Sequence, residues 1–261
     1  MLKIFALILS FVAVACGVAR QREKTTDGSC SIRKSETLRS QMFFDAVRDG
    51  QLADVIDLIE SGQDVNAIDS TSQNALALAT ANGHGAVLAE LIRRRANIHH
   101  RFNNGATVLF LAAAAGNEAG CIALIEAGAE INARDTLGNT PLMMAIPDGN
   151  DAVVQILLEY GAKVELPNAS GQTALMMAAM EGQTEAIRLL VAAGADVNTA
   201  GPKGMTPLMM AAKRGMTDTV DALLKSGANP MLQNRQGKTA LDLAMSAGRR
   251  ETLTLLKEAS D

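Results

Sequence analysis

Glycine recurs along this chain at a fixed step of 33 residues, in three separate registers. Gly105, Gly138, Gly171, Gly204 and Gly237 make the first, and Gly50, Gly83, Gly116, Gly149, Gly182, Gly215 and Gly248 the second. Gly62, Gly128, Gly161, Gly194 and Gly227 make the third, with Arg95 in the place of a glycine. A period of this size means one small unit copied and stacked. Each copy is too small to bury its own apolar face, so it must bury it against its neighbours.

The unit can be read from Gly171 to Lys203. Thr173 is placed to cap a helix, and the sister positions Thr140-Pro141 and Thr206-Pro207 add proline at the first helical residue, where its missing N–H costs nothing. Leu175, Met177, Ala178 and Ala179 give this first helix an apolar face. Gly182 permits a turn with positive φ. A second helix starts near Thr184, buries Ile187, Leu189, Leu190 and Val191, and ends at Gly194, suited to a left-handed C-terminal position. An extended loop then leads to Gly204. Ala46, Ala79, Ala112, Ala145, Ala178, Ala211 and Ala244 form a column of constant small size, as expected where first helices approach closely. The chain has no Trp and one Tyr, which suits a stack with an alanine- and leucine-filled interior.

Thr-Pro-Leu, Ala-Ala-x-x-Gly and Leu-Leu-x-x-Gly-Ala-Asp-Val-Asn at this period closely resemble the ankyrin repeat. The resemblance covers residues 40–261 in about seven units and implies an all-α, helix-turn-helix solenoid. It also implies a protein-binding, non-catalytic role without cofactors. One departure is consistent. The histidine usual after Thr-Pro-Leu is absent, its slots holding Ala77, Phe110, Met143, Met176, Met209 and Asp242. Packing is expected to replace its polar network. Met42-Phe43-Phe44 at one end, and Arg249, Arg250, Glu251, Lys257 and Glu258 at the other, fit capping units.

Residues 1–15 read as a signal peptide: a short start with Lys3, then an apolar run from Ile4 to Ala15, too short to span a bilayer. Ala13-Val14-Ala15 before Cys16 satisfies ordinary signal cleavage and also resembles the bacterial lipobox, whose cysteine carries lipid. The chain is therefore expected to be exported, either anchored in the periplasm through Cys16 or secreted. Residues 16–39 are polar and read as a flexible tether, about 25–30 Å in mean reach. The tether is basic, but the chain from Ser40 onward balances to about −8, so nucleic acid is not expected as a partner.

The sequence holds no H-E-x-x-H, G-x-S-x-G, phosphate-cradling Gly-Lys loop, Cys–His arrangement or CxxC pair. His84 at a helix start is read as structural, and His99-His100 as loop residues with at most a loose surface metal contact. Asp64, Asp135, Asp196 and Glu130 fit turn positions. Cys121 among Ile122, Leu124 and Ile125 reads as a buried, inert thiol. A disulfide from Cys30 to Cys121 has nothing in the spacing to favour it. Met143-Met144, Met176-Met177 and Met209-Met210 stand at equivalent sites in three successive units. One member of each pair is expected in the core and one in the groove, as adaptable apolar filling, an adaptable groove lining, or a soft-metal ladder.

In ankyrin folds the usual binding surface is the concave one, built from loop tips and the exposed side of first helices. Carried over by position, that surface holds Asn103 and Asn104, then Leu137, Asn139 and Asp148. Gln172, Met180 and Glu181 follow, then Lys203, Met205, Lys213 and Arg214, and finally Arg235 and Lys238. The sign along it drifts to basic, which would orient a partly acidic partner. Pro147, late in a first helix, is expected to shorten that helix. The sequence thus points to a monomeric scaffold of the cell envelope that binds another protein and touches a membrane only through lipid on Cys16. Two alternatives stand beside it: an inhibitor, immunity protein or host-directed effector, and a Met-rich soft-metal or redox-buffering protein.

Overall fold

The computed structural model describes residues 27–69 and 73–259. Every regular element among them is a helix, apart from an isolated bridge between Ile68 and Asn74. The chain divides into two compact units, one up to Asn97 and one from Ile98 onward.

The first unit contains α1 (Asp27–Asp49), α2 (Leu52–Glu60), α3 (Ala75–Ala81) and α4 (Gly85–Arg93). Phe43, Val47, Val55, Leu76, Leu88 and Leu91 are among its fully buried residues, with Phe43 and Phe44 edge-to-face at 5.4 Å. α1 begins inside the stretch expected to be a flexible tether. Once Phe43 and Val47 are packed the helix needs no new nucleus to extend upstream, and Arg39 fastens it by donating to the Ser61 carbonyl at 2.8 Å. Residues 1–26, with the expected signal segment and Cys16, lie outside the described residues. His84 stands at the start of α4 and its Nε2 donates to the Arg48 carbonyl at 2.8 Å, the structural use expected of it. Arg94 bridges Glu90 of α4 and Glu60 of α2.

Arg95 is where the glycine register is broken, and it carries the glycine's backbone: φ is +61°. A side chain in this left-handed region costs about 1 kcal/mol or more. Arg95→Gly is therefore expected to raise stability by about 1 kcal/mol, measured as a higher urea midpoint at unchanged slope. A lower midpoint would mean that the Arg95 side chain contributes more than its backbone strain.

The second unit repeats one pattern five times. Its first helices are α5 (Val108–Ala114), α7 (Pro141–Ala145), α9 (Ala174–Glu181), α11 (Pro207–Arg214) and α13 (Ala240–Ser246). Its second helices are α6 (Glu118–Glu126), α8 (Asp151–Glu159), α10 (Thr184–Ala192), α12 (Thr217–Lys225) and α14 (Arg250–Glu258). Thr107, Thr140, Thr173, Thr206 and Thr239 each cap a first helix by accepting the backbone N–H three residues on. Those N–H groups belong to Phe110, Met143, Met176, Met209 and Asp242, the positions where the histidine is missing. The first four are buried side chains, so packing does replace a polar network. Asp242 returns a bond to Thr239 and completes a capping box.

The alanine column is fully buried at Ala112, Ala145, Ala178, Ala211 and Ala244. α7 stops at Ala145, two residues before Pro147, and is the shortest helix of the set at 5 residues. First helices pack on first helices and second helices on second helices down the stack. Hydroxyl pairs join successive second helices: Thr184 with Thr219 and Thr217 with Thr252, each at 3.2 Å.

Asp151 occupies the position equivalent to Thr184, but Ala186 stands where its hydroxyl partner would be. Its Oδ1 is buried with no hydrogen-bond partner. Burial first, then the Glu185 charge, raises its carboxyl above the ordinary range. The folded state thus binds this proton more tightly than the unfolded one, so this group's contribution to stability falls as pH rises from the ordinary carboxylate range through the raised value. Asp151→Asn is expected to remove that downward slope, read from urea midpoints between about pH 4 and 7. An unchanged profile would show the carboxylate to be solvated.

Candidate functional site

Loop tips and the last turns of first helices form one face of the second unit. Three of the tips are turns closed by one side chain. Asp135 Oδ1 accepts from Leu137 and Asn139, Asn168 Oδ1 from Ser170 and Gln172, and Asn234 Oδ1 from Gln236 and Lys238, all at 2.7–3.0 Å. Backbone bonds then join tip to tip: Thr136 donates to Asn104, Ala169 to Leu137, and Arg235 to Lys203. The approach is close. A Cβ built at Gly138 would lie 2.8 Å from the Ala169 nitrogen, and one at Gly204 would lie 3.0 Å from that of Arg235.

Ten of the fourteen residues expected on this surface are exposed: Asn103, Asn104, Leu137, Asp148, Glu181, Lys203, Lys213, Arg214, Arg235 and Lys238. Leu137 is an apolar tip with 64% of its surface open. Asn139, Gln172, Met180 and Met205 are half-buried and engaged within the stack. Asn139 bonds Asp135 and Asn168, Gln172 donates to the Met180 sulfur at 3.1 Å, and Met205 accepts from Asn234 at 3.4 Å. These four set the shape of the face more than they offer contacts.

Arg249, expected from the sequence to be part of a capping unit, also belongs to this surface. From Asn150 onward the residue opening each second helix leans on the end of the preceding first helix. Asn150 donates to Ala113 and Ala114, Gln183 donates to Pro147, and both lie against that helix's glycine. Arg249 holds the same place: a Cβ at Gly215 would meet its Cδ at 2.5 Å. Its stem therefore crosses the end of α11, next to Lys213 and Arg214. The 33-residue spacing from Gln183 through Met216 to Arg249 was the available signal.

The methionines divide mostly as expected. Met143, Met176 and Met209 are buried at 0–1% exposure, while Met144 and Met177 are half-exposed, but Met210 is buried as well. Cys121 is a free, buried thiol whose pKa is pushed up to about 12 by burial and then by Glu118. It is expected to resist iodoacetamide at pH 8 in the folded protein and to react fully in urea. Rapid labelling without denaturant would contradict its burial. His100 stacks edge-to-face on Phe102, and among the described residues no three His, Cys, Asp or Glu side chains converge on a metal site. Nor is any described helix long and apolar enough to cross a membrane.

A helical stack capped by threonines, turned by left-handed glycines and bonded tip to tip is a repeat protein with one continuous exposed face of loop tips. A family model described as ankyrin repeats (3 copies) matches residues 43–135 and 134–201, and one described as ankyrin repeats (many copies) matches 190–244. The chain belongs to the ankyrin repeat family. Its fold is similar to the crystal structure of the human ASB11 ankyrin repeat domain, with 29% identity and a TM-score of 0.72. The match covers 82% of this chain and 96% of that one. No curated protein matches the sequence. Repeats of this family generally serve as non-catalytic protein-interaction scaffolds.

Proposed function

We propose that the chain is a scaffold of the cell envelope that binds one partner protein through the tip face of residues 98–261. The observation that carries this reading is the character of that face. Leu137 stands open among polar tips, and Lys203, Lys213, Arg214, Arg235 and Lys238 take part in none of the salt bridges among the described residues. An open apolar anchor and, further along the same face, cations free of salt bridges are what a protein interface uses for contact and orientation. The signal-like start and Cys16 support export and lipid anchoring, with the solenoid held off the membrane by the segment between.

Two experiments test this. A photo-crosslinking residue placed at Ser170 or Leu137 in cells of the source should capture the partner, and one at Gln155 on α8 should not. Capture only from Gln155 would move the interface to the second helices. Cells fed labelled palmitate should label the protein and lose the label in Cys16→Ser; no label in either form would leave simple secretion. The same face would serve an inhibitor, in which case adding the purified protein abolishes the captured partner's activity. The soft-metal reading has less support, since the sulfurs of Met143, Met176 and Met209 are enclosed in the core.

A further inference from the structure

In the last repeats the acids gather on the second helices, which also carry Lys225, Arg250 and Lys257, while the tips are basic. Residues 202–261 carry 9 Lys and Arg against 6 Asp and Glu, while 98–201 carry 4 against 11. Of the acids in the final stretch, Asp218 and Asp221 sit on α12, and Glu251 and Glu258 on α14, all second helices. Asp242, near Lys238, is the one acid at a first helix, and its Oδ2 accepts from Thr239 N–H and Oγ1. The tips and the end of α11 present Lys203, Lys213, Arg214, Arg235, Lys238 and Arg249, none in a salt bridge among the described residues.

Where the sign changes, the tip itself is irregular. The ladder of tip bonds fails at one step, because the residue facing the Ser170 carbonyl is Pro202, which has no N–H. Gly201, like Phe102 in the first tip, stands where Asp135, Asn168 and Asn234 supply the turn-closing side chain. Lys203 lies at φ +58°, ψ +19°, a left-handed conformation shared with no other non-glycine residue of this unit. Backbone held in a disfavoured region points to function when the surrounding repeats show that a relaxed alternative was available.

We propose that these six cations form one recognition surface for an extended acidic segment of the partner protein, centred on Lys203. This rests on the tip face being the binding surface. Neighbouring helices pack about 10 Å apart and an extended chain advances about 3.3 Å per residue. Cations one repeat apart therefore match carboxylates about three residues apart. A compact anion such as a single phosphate could meet the cations of only one repeat.

The test uses the full chain and a fluorescein-labelled peptide of about 15 residues with glutamate at every third position. By anisotropy the peptide should bind, and roughly 0.5 M salt should release it. A peptide with the same glutamates in one block should bind more weakly. Replacing Lys213, Arg214 and Arg249 together by Gln should weaken binding about tenfold; Gln at position 249 has a structural precedent in Gln183. Lys203→Gly should weaken it several-fold without lowering the unfolding midpoint, since glycine relaxes the left-handed backbone. Equal binding by wild type and the triple variant, no binding by wild type, indifference to glutamate spacing, or a preference for phosphatidylglycerol vesicles would each overturn the proposal. If crosslinking from Ser170 to the partner persists in the triple variant, the tip face stands and only the acidic-segment proposal falls. Loss of crosslinking from every tip in the wild type would remove both.

Discussion

Gly138→Ala is expected to cost about 3 kcal/mol, summing the left-handed backbone penalty and a steric clash. Gly138 has φ +75°, and a Cβ there would lie 2.8 Å from the Ala169 nitrogen and 3.2 Å from the Asn168 carbonyl carbon. Both are backbone atoms of the next tip, so the neighbouring repeat must move and the Ala169-to-Leu137 bond is lost with it. Gly161→Ala separates the two contributions. Its φ is +88° but nothing lies within 4 Å, so only the backbone penalty of about 1–2 kcal/mol applies. Urea denaturation of the two variants should differ by at least about 1 kcal/mol. Because stability in a stack is carried by neighbour interfaces, Gly138→Ala should also broaden or split the transition. Equal losses from the two changes would mean that the tips do not touch.

Met176→Ala should cost about 2–5 kcal/mol, the range for emptying a buried site of this size. Met176 has no exposed surface, and its sulfur lies against Gly201, where a Cβ would come within 2.4 Å of it. The loss of side chain at Gly201 and the presence of methionine at Met176 are thus two halves of one packing solution. Met176→Leu should cost less than about 1.5 kcal/mol. Met177→Ala, on the adjacent half-exposed residue, should cost distinctly less than Met176→Ala. Thermal or urea unfolding of the three variants checks the order; a larger loss from Met177 would reverse the assignment of core and groove.

Much of the fold was legible because a repeat displays each constraint several times. The threonine caps, the glycine turns, the alanine column and the shortening before Pro147 are all local rules, and the structure obeys them. Cys121 and His84 could be placed by their position in the unit. What was not legible depends on side-chain partners that the unit pattern does not specify, several of them about one repeat away. Asn139, Gln172, Met180 and Met205 occupy surface positions in the unit, yet side-chain bonds tie them into the stack, across neighbouring repeats in two of the cases. Arg249 looked like an end charge until stacking placed its stem on Gly215. Lys203 gave no sign of its left-handed backbone, since its sister positions hold Asn104, Leu137, Ser170 and Gln236 without it. The start of α1 at Asp27 was missed for a different reason: the segment is polar, and its helix grows from packing downstream.

The most direct measurement is hydrogen exchange of the full chain with and without the captured partner. Slower exchange at the tips, at residues 103–106, 136–139, 169–172, 202–205 and 235–238, with α8, α10 and α12 unchanged, is the expected result. Protection confined to those second helices, with every tip exchanging as before, would contradict binding through the tip face.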